Sequence, residues 1–324
     1  MKTKILLAAT AAVLLYAAAA ANTTSLQPNG ETTMTATTKS SMLKVPGASI
    51  YYEKQGSGPL LLLIPGGPQD AGVFADLARQ LAGRYTVVAY DPRGNSRSVF
   101  DGSAEPLSID VQADDAAKLI ESIGSGPAFV FGTSGGAQIG LNLAARHPEQ
   151  VRALVAHEPP SMMLLDDPSA SLAEDQDLYD TYKRAGVDAA MAKFFAMAGL
   201  EEGAGGTDAA APAEADAEAS PGFDMSPEEA ETFERVSGNF EYWLAHGMLP
   251  LSRYTPEVDT LRSGKPRIVV AIGAESAGQP IEAMAVALAE RLGVNPVAFP
   301  GDHIGFGQHA EAFAQTLGRV LAGN

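Results

Sequence analysis

The sequence predicts an α/β fold with a doubly wound, mostly parallel sheet. Strand-like and helix-like segments alternate along the chain at the spacing of βαβ units. The segment Leu60 to Ile64 is an unbroken apolar run, which is typical of a strand buried on both faces of a parallel sheet. The composition, 46% hydrophobic and 19% charged, is that of a globular protein.

The elements before residue 158 are short and closely spaced. Ser108 precedes apolar residues at helical spacing and is a suitable N-cap for the helix that follows. The predicted strands are 49–54, 60–64, 85–90, 128–131 and 151–157, and the predicted helices are 71–81, 108–123 and 136–146.

The alternation of strands and helices stops at Pro159-Pro160 and resumes after residue 256. The intervening residues 160–256 contain no buried-strand run and are expected to form a helical cap. Within the cap, 201–229 holds nine acidic residues and no Lys or Arg, which indicates a flexible loop. The core is therefore expected to comprise 42–159 and 257–324. Its later elements are predicted as strands 267–272 and 294–299 and helices 279–292 and 309–322.

The first residues have the pattern of a secretory signal or N-terminal anchor over 1–21. Lys2 and Lys4 precede an apolar stretch and the small-residue site Ala19-Ala20-Ala21. Residues 22–41 are rich in Thr, Ser and Asn and are expected to be a disordered tether. We expect a secreted or periplasmic protein if the leader is cleaved, and a cytoplasmic one if translation starts at Met34.

Charge and composition exclude several classes of function. The net charge of −17 argues against nucleic acid as a partner, because such binding needs clustered Lys and Arg. The chain has no cysteine, and we find neither a metal-ligand cluster nor a dinucleotide fingerprint. We therefore expect no metal and no cofactor, and a small-molecule substrate as partner, with the oligomeric state left open.

Ser134 lies in the stretch Gly132-Thr133-Ser134-Gly135-Gly136, between the predicted strand 128–131 and the predicted helix 136–146. Gly-x-Ser-x-Gly at a strand-to-helix turn is a nucleophile elbow, which presents a serine hydroxyl at the carboxyl edge of a sheet. The order of elements and this elbow resemble the α/β-hydrolase fold over nearly the whole chain after Met42. The resemblance implies an eight-stranded sheet with the cap inserted after strand 6.

A serine hydroxyl needs a base to become a nucleophile. Among five histidines, His303 follows the last predicted strand, and such loops converge on the active edge of an open α/β sheet. The chain order that the resemblance implies, with histidine last, also selects His303. His147 is interpreted as a helix-end residue, and His246 falls in the cap.

Two glutamates are candidates for the acid that orients His303. In the fold that the chain resembles, the usual aspartate follows the seventh strand, but Ser276 occupies that position here, with Glu275 one residue earlier. The other known position follows the sixth strand, where Glu158 stands. A carboxylate at either strand end can orient the imidazole, and we favour Glu158, with Glu275 as the alternative.

Three short tracts make the sequence resemble one particular group within this fold. The sequences His157-Glu158-Pro159-Pro160, Pro300-Gly301-Asp302-His303 and Asn239-Phe240-Glu241-Tyr242-Trp243 are similar to those of actinobacterial α/β-hydrolases and fungal zearalenone lactonases. This resemblance implies a Ser134, His303, Glu158 triad. It also implies a substrate contact at Trp243, and we add its aromatic neighbour Tyr242.

An oxyanion hole needs two N–H donors. Gly135 follows the nucleophile, and the resemblance implies that Gly67 in Pro65-Gly66-Gly67-Pro68 supplies the second. We therefore predict a serine hydrolase that cleaves a small apolar carboxylic ester or lactone through an acyl-enzyme. Alternatives are a cofactor-free peroxidase, an aminopeptidase and a non-catalytic ligand-binding protein of the same fold.

Overall fold

A computed structural model describes residues 37–124, 126–197 and 225–323. The predicted leader 1–21 lies outside these residues, as do most of the predicted tether and most of the acidic segment 201–229. No helix within the described ranges has the length and apolar character needed to cross a bilayer.

The described residues form one nine-stranded sheet of order β1-β2-β4-β3-β6-β7-β8-β9, with the two-residue β5 paired to β2. The pairs that involve β2 are antiparallel, and all pairs from β4 to β9 are parallel. The strands are β1 Lys39–Val45, β2 Ala48–Gly56, β3 Leu60–Ile64, β4 Thr86–Tyr90, β5 Val99–Phe100, β6 Ala128–Thr133, β7 Val151–His157, β8 Arg267–Gly273 and β9 Val297–Phe299.

Helices cover both faces of the sheet and also occur in the described part of the segment between β7 and β8. They are α1 Ala75–Leu81, α2 Ile109–Ile123, α3 Gly135–Arg146, α4 Ser169–Ala185, α5 Val187–Met197, α6 Pro227–Gly238, α7 Phe240–Tyr242, α8 Met248–Ser252, α9 Val258–Ser263, α10 Pro280–Leu292, α11 Gly305–Gln308 and α12 Ala310–Ala322. A π-helical turn, Trp243–Gly247, separates α7 from α8.

The doubly wound α/β architecture agrees with the predicted fold class, and the differences concern boundaries. The sheet has nine strands rather than eight, because the two residues of β5 are too few to show any periodicity. The first strand begins at Lys39, inside the predicted tether, and α6 begins at Pro227, inside the predicted acidic loop. Ser226 and Glu229 form a capping box that starts α6, so local hydrogen bonding begins a helix within residues that were predicted to be a loop.

The apolar runs form two cores, one on each face of the sheet. Leu60, Leu62 and Ile64 of β3 face one core together with α2, α3 and α10, whereas Leu61 and Leu63 face the other with α1 and α12. All five side chains are buried, as expected for a central parallel strand.

The parallel strands β3, β6, β7 and β8 all end at the same edge of the sheet, because their registers are aligned. The loops that leave this edge carry the residues predicted to form the site. The segment between β7 and β8 forms a third, smaller apolar cluster of Leu178, Ala190, Met191, Trp243, Leu244 and Met248.

Candidate active site

Ser134 occupies a sharp turn between the end of β6 and the start of α3. Its φ of 53° lies in a region that non-glycine residues rarely adopt, so its backbone is strained. A side chain at Gly132 would overlap the backbone of Gly136, and one at Gly136 would overlap the end of β3. Glycine at both positions is therefore what allows this turn to pack against the sheet.

Glu158 and His303 meet at the edge of the sheet. Glu158 directly follows β7, is fully buried and also has a positive φ of 46°. Its Oε2 lies 2.7 Å from His303 Nδ1, and its Oε1 accepts a hydrogen bond of 2.8 Å from the Gly273 N–H. Both carboxylate oxygens are therefore held, and the pair has the geometry in which a carboxylate orients an imidazole.

The environment of Glu158 favours its charged form. Burial by itself raises the pKa of this carboxyl, but the hydrogen bond from His303 and the neighbouring imidazoles outweigh it and lower the pKa to about 2. Glu158 is therefore ionised at neutral pH, as the orienting acid of a triad must be.

The alternative acid does not reach the imidazole. Glu275 is solvent-exposed, and among the described residues no hydrogen bond or ion pair joins it to His303. Ser276, where the resemblance places the usual acid, is fully buried. The structure thus brings Glu158 to His303 and leaves Glu275 apart.

His157 is a buried neighbour of the site that sequence reasoning did not assign. Its backbone carbonyl accepts a 2.9 Å hydrogen bond from the Ser134 N–H, and its Nδ1 lies 3.1 Å from the Thr133 hydroxyl. Its ring stacks on His303 with 6.3 Å between centroids. Burial lowers the pKa of His157 to about 3, so the ring is neutral at physiological pH.

The two predicted oxyanion donors adjoin one another. Gly67 lies in the loop after β3 with a φ of 47°, and Gly135 is the first residue of α3. The position of a Cβ on Gly135 would be only 3.3 Å from the Gly67 nitrogen. A Cβ atom on Gly66 would lie only 2.7 Å from the Ser134 Cβ, so this loop passes directly beside the serine.

A narrow cavity lies beside these residues. Its lining comes from the core and from the segment between β7 and β8: Pro65, Gly67, Pro92, Asn95, Leu107, Gln112, Gly135, Ile139, Tyr242, Trp243, Gly247 and Leu251. Both aromatic residues that were predicted to contact substrate, Tyr242 and Trp243, are among them.

Tyr242 and Trp243 differ in how they are held. The Tyr242 hydroxyl donates a 3.0 Å hydrogen bond to the Glu105 carbonyl, and burial raises the pKa of this phenol to about 12. The Trp243 indole packs edge-on against Phe194, and its Nε1 has no hydrogen-bond partner among the described residues. Trp243 also begins the π-helical turn, a feature often found at functional sites.

Several lining residues carried no recognisable sequence signal. Gln112 lies on α2, whose apolar spacing predicts only packing, and Leu251 lies on α8, for which no separate helix was predicted. Asn95 lies in the loop after β4, and no role was assigned to it. Arg93 in the same loop forms a buried bidentate pair with Asp115, whereas Asn95 lines the cavity.

No group of three or more His, Asp or Glu side chains that could hold a metal ion occurs in the part of the chain that the structure describes.

Comparison with known proteins agrees with this fold. The family model described as alpha/beta hydrolase fold matches residues 59–198. The hydrolase YraK of Bacillus subtilis is 34% identical over 291 residues, which is 88% of this chain and 97% of YraK. The chain belongs to the alpha/beta hydrolase fold family.

More distant members of the alpha/beta hydrolase family are also similar over most of the chain. The zearalenone hydrolase of Bionectria ochroleuca is 25% identical to this chain. The match covers 86% of this chain and 96% of the zearalenone hydrolase. The crystal structure of the enol-lactonase from Burkholderia xenovorans LB400 superposes with a TM-score of 0.62 at 18% identity. That match covers 87% of this chain and 100% of the enol-lactonase, and it supports the alpha/beta hydrolase fold alone.

Proposed function

We propose that this alpha/beta hydrolase cleaves a small carboxylic ester or lactone by nucleophilic catalysis at Ser134. The observation that carries the proposal is the 2.7 Å contact between His303 Nδ1 and the buried, ionised Glu158, at the sheet edge where the strained Ser134 stands. A buried carboxylate is costly to keep charged unless it is paired, and this pairing is what a serine nucleophile requires.

The roles follow from the atoms that remain available. His303 Nδ1 is engaged with Glu158, and Nε2, which has no hydrogen-bond partner among the described residues, accepts the Ser134 proton. The serine oxygen attacks the carbonyl carbon, and the N–H groups of Gly67 and Gly135 bind the oxyanion. His303 then protonates the leaving alkoxide, and the acyl-enzyme forms.

Deacylation uses the same groups in reverse. His303 takes a proton from water, the resulting hydroxide attacks the acyl carbon, and Ser134 leaves with the proton returned from His303. Glu158 stabilises the imidazolium in both halves. In a lactone the leaving alkoxide stays attached to the acyl group, so a single hydroxy acid is the product.

Two observations support an ester or lactone as the substrate. Aliphatic and aromatic side chains such as Leu107, Ile139 and Trp243 line much of the cavity. One of the similar proteins, 25% identical over most of both chains, is named for the hydrolysis of zearalenone.

The proposal is tested with a fluorophosphonate probe and a panel of p-nitrophenyl esters, aliphatic lactones and macrolactones. We expect the probe to label Ser134, located by peptide mass spectrometry, and at least one panel member to be hydrolysed. Ser134→Ala is expected to abolish both. The matched control is Ser122→Ala, an exposed serine of α2, which should retain both.

Hydrolysis that persists in Ser134→Ala would overturn the assigned nucleophile. Absence of labelling in the wild-type protein would favour a non-catalytic ligand-binding role instead.

A further inference from the structure

The loop that carries Gly67 is held by side chains from outside itself. We call residues Pro65–Gln69 the oxyanion loop. Within it, the Gln69 N–H donates to the Gly66 carbonyl at 2.9 Å, and the Gly66 N–H donates to the Gln69 side chain at 3.2 Å. These bonds close the turn but leave the carbonyls of Gly67, Pro68 and Gln69 without partners inside the loop.

Asn95 binds two of those three carbonyls. Its Nδ2 donates to the Gly67 carbonyl at 3.1 Å and to the Gln69 carbonyl at 2.8 Å. The side-chain amide has two hydrogens, so its donor capacity is fully used on this loop. Asn95 is buried, which means that water cannot readily replace these bonds.

Asn239 binds the third carbonyl from the segment between β7 and β8. Its Nδ2 donates to the Pro68 carbonyl at 2.7 Å and to the Ser96 hydroxyl at 2.8 Å, while its Oδ1 accepts from the Ser96 N–H at 2.7 Å. Ser96 has a positive φ of 48°. Asn239 thus holds the oxyanion loop and also the strained residue next to Asn95.

The geometry points to Asn95 and Asn239 as positioning residues that fix the oxyanion hole by binding three successive carbonyls of the oxyanion loop. This inference rests on the proposed function. Gly67 has no side chain to restrict its backbone, so its N–H direction depends on how the adjoining peptide groups are held. Catalysis by an oxyanion hole requires donors that are oriented before the charge develops.

The same contacts couple the oxyanion loop to Trp243. The Asn239 carbonyl accepts a 2.9 Å hydrogen bond from the Trp243 N–H, and Arg235 of α6 pairs with the buried Asp70 just beyond the loop, with 2.6 Å between Nε and Oδ2. A displacement of this segment would therefore remove the Pro68 bond as well as the aromatic wall of the cavity. The cavity wall and the oxyanion loop are therefore linked through one residue, Asn239, which binds Trp243 by its backbone carbonyl and Pro68 by its side chain.

The test compares Asn95→Asp and Asn239→Asp with the wild-type protein. The first change removes the donors to both the Gly67 and Gln69 carbonyls. The second keeps an acceptor for the Ser96 N–H and loses only the bond to the Pro68 carbonyl, since the Ser96 hydroxyl can donate to the new carboxylate. Asn95→Ser is the second variant at position 95, for use if a buried carboxylate prevents folding.

The matched control is Asn142→Asp. Asn142 is a buried asparagine of α3 whose Nδ2 donates to Asp110 at 3.0 Å and which contacts no residue of the oxyanion loop. All rates are expressed per serine titrated with the fluorophosphonate probe, so that misfolded molecules do not count. Binding of a trifluoromethyl ketone, which forms an oxyanion adduct with an active serine, is measured in parallel.

We expect kcat per titrated site to fall roughly 10- to 100-fold in Asn95→Asp and less in Asn239→Asp, with KM changed by less than about threefold. The inhibition constant of the ketone should rise by the factor by which kcat/KM falls. The control should keep both values near those of the wild type.

A kcat per titrated site within twofold of the wild type in Asn95→Asp, or in Asn95→Ser where the former does not fold, would overturn the positioning role while the proposed function stood. A wild-type protein that neither reacts with the probe nor hydrolyses any ester overturns the proposed function, and the positioning role with it.

Discussion

Replacing Glu158 by Gln removes one charge while keeping the shape of the side chain. The amide can still accept the Gly273 N–H, but it no longer stabilises a cationic His303. It can also favour the wrong tautomer by donating to Nδ1. If Glu158 is the orienting acid, kcat should fall by roughly a thousandfold or more, as for the loss of the acid in other triads.

The same substitution has a cost in stability that follows from the pKa of Glu158. That pKa is lowered from 4.5 to about 2, and each unit corresponds to about 1.4 kcal/mol of preference for the charged form in the folded state. Glutamine imitates the protonated form, so the free energy of unfolding at pH 7 should drop by about 3 kcal/mol.

The sign of the pH dependence follows from the direction of the shift. A carboxyl whose folded-state pKa is lowered stabilises the protein above its unfolded-state pKa, here 4.5, and loses that contribution as the pH falls toward about 2. The stability gap between wild type and Glu158→Gln should therefore be constant from pH 7 to about pH 5 and should narrow at lower pH.

Urea denaturation at pH 7, 5 and 4 measures the gap, and ester hydrolysis per titrated serine measures the catalytic loss. Glu275→Gln is the matched control, an exposed glutamate changed in the same way, and it should alter neither quantity. A larger loss of kcat in Glu275→Gln than in Glu158→Gln would refute the assignment of the acid. An unchanged stability gap across the whole pH range would refute the reasoning about the charge.

Two further predictions concern buried positions near the elbow. His157 has a folded-state pKa lowered from 6.5 to about 3, so stability should fall by up to about 1.4 kcal/mol per pH unit below pH 6.5, where only the unfolded chain takes up the proton. His157→Phe should remove that slope in urea denaturation, and a slope unchanged in the variant would contradict it. Gly136→Ala should destabilise the protein by about 1–3 kcal/mol or more, because the methyl overlaps the end of β3, whereas Gly307→Ala meets open space and should change thermal stability little. Equal melting temperatures for the two alanine variants would count against this packing argument.

Local features of the sequence were sufficient to predict the fold class and the sharp turn that carries Ser134. The apolar run Leu60 to Ile64 is confirmed as a central strand. A strand buried on both faces has an unbroken apolar sequence, and this pattern can be recognised without knowing which strands pair with it. The elbow around Ser134 could be recognised because its glycines and its flanking strand and helix lie within a few residues of one another. The strand β5 was missed, since Val99 and Phe100 pair with β2 through a contact that no local pattern encodes.

The choice between the two candidate acids could not be made from local sequence features. Glu158 and Glu275 both follow predicted strands, and sequence alone left them as alternatives. Glu158 and His303 are 145 positions apart, and their 2.7 Å contact depends on the order of β7, β8 and β9 in the sheet. The backbone turn at Glu158, with its positive φ, directs the side chain toward His303.

The sequence by itself therefore determined the α/β class, the nucleophile elbow and the strand ends at which a base and an acid could stand. Only the tertiary structure decided which carboxylate meets His303 and that Asn95 and Asn239 hold the oxyanion loop. The physical reason is one of distance along the chain. Helix and strand periodicity, caps and tight turns arise between neighbours, whereas each of these contacts joins side chains to groups that only the completed sheet and the segment inserted after β7 bring together.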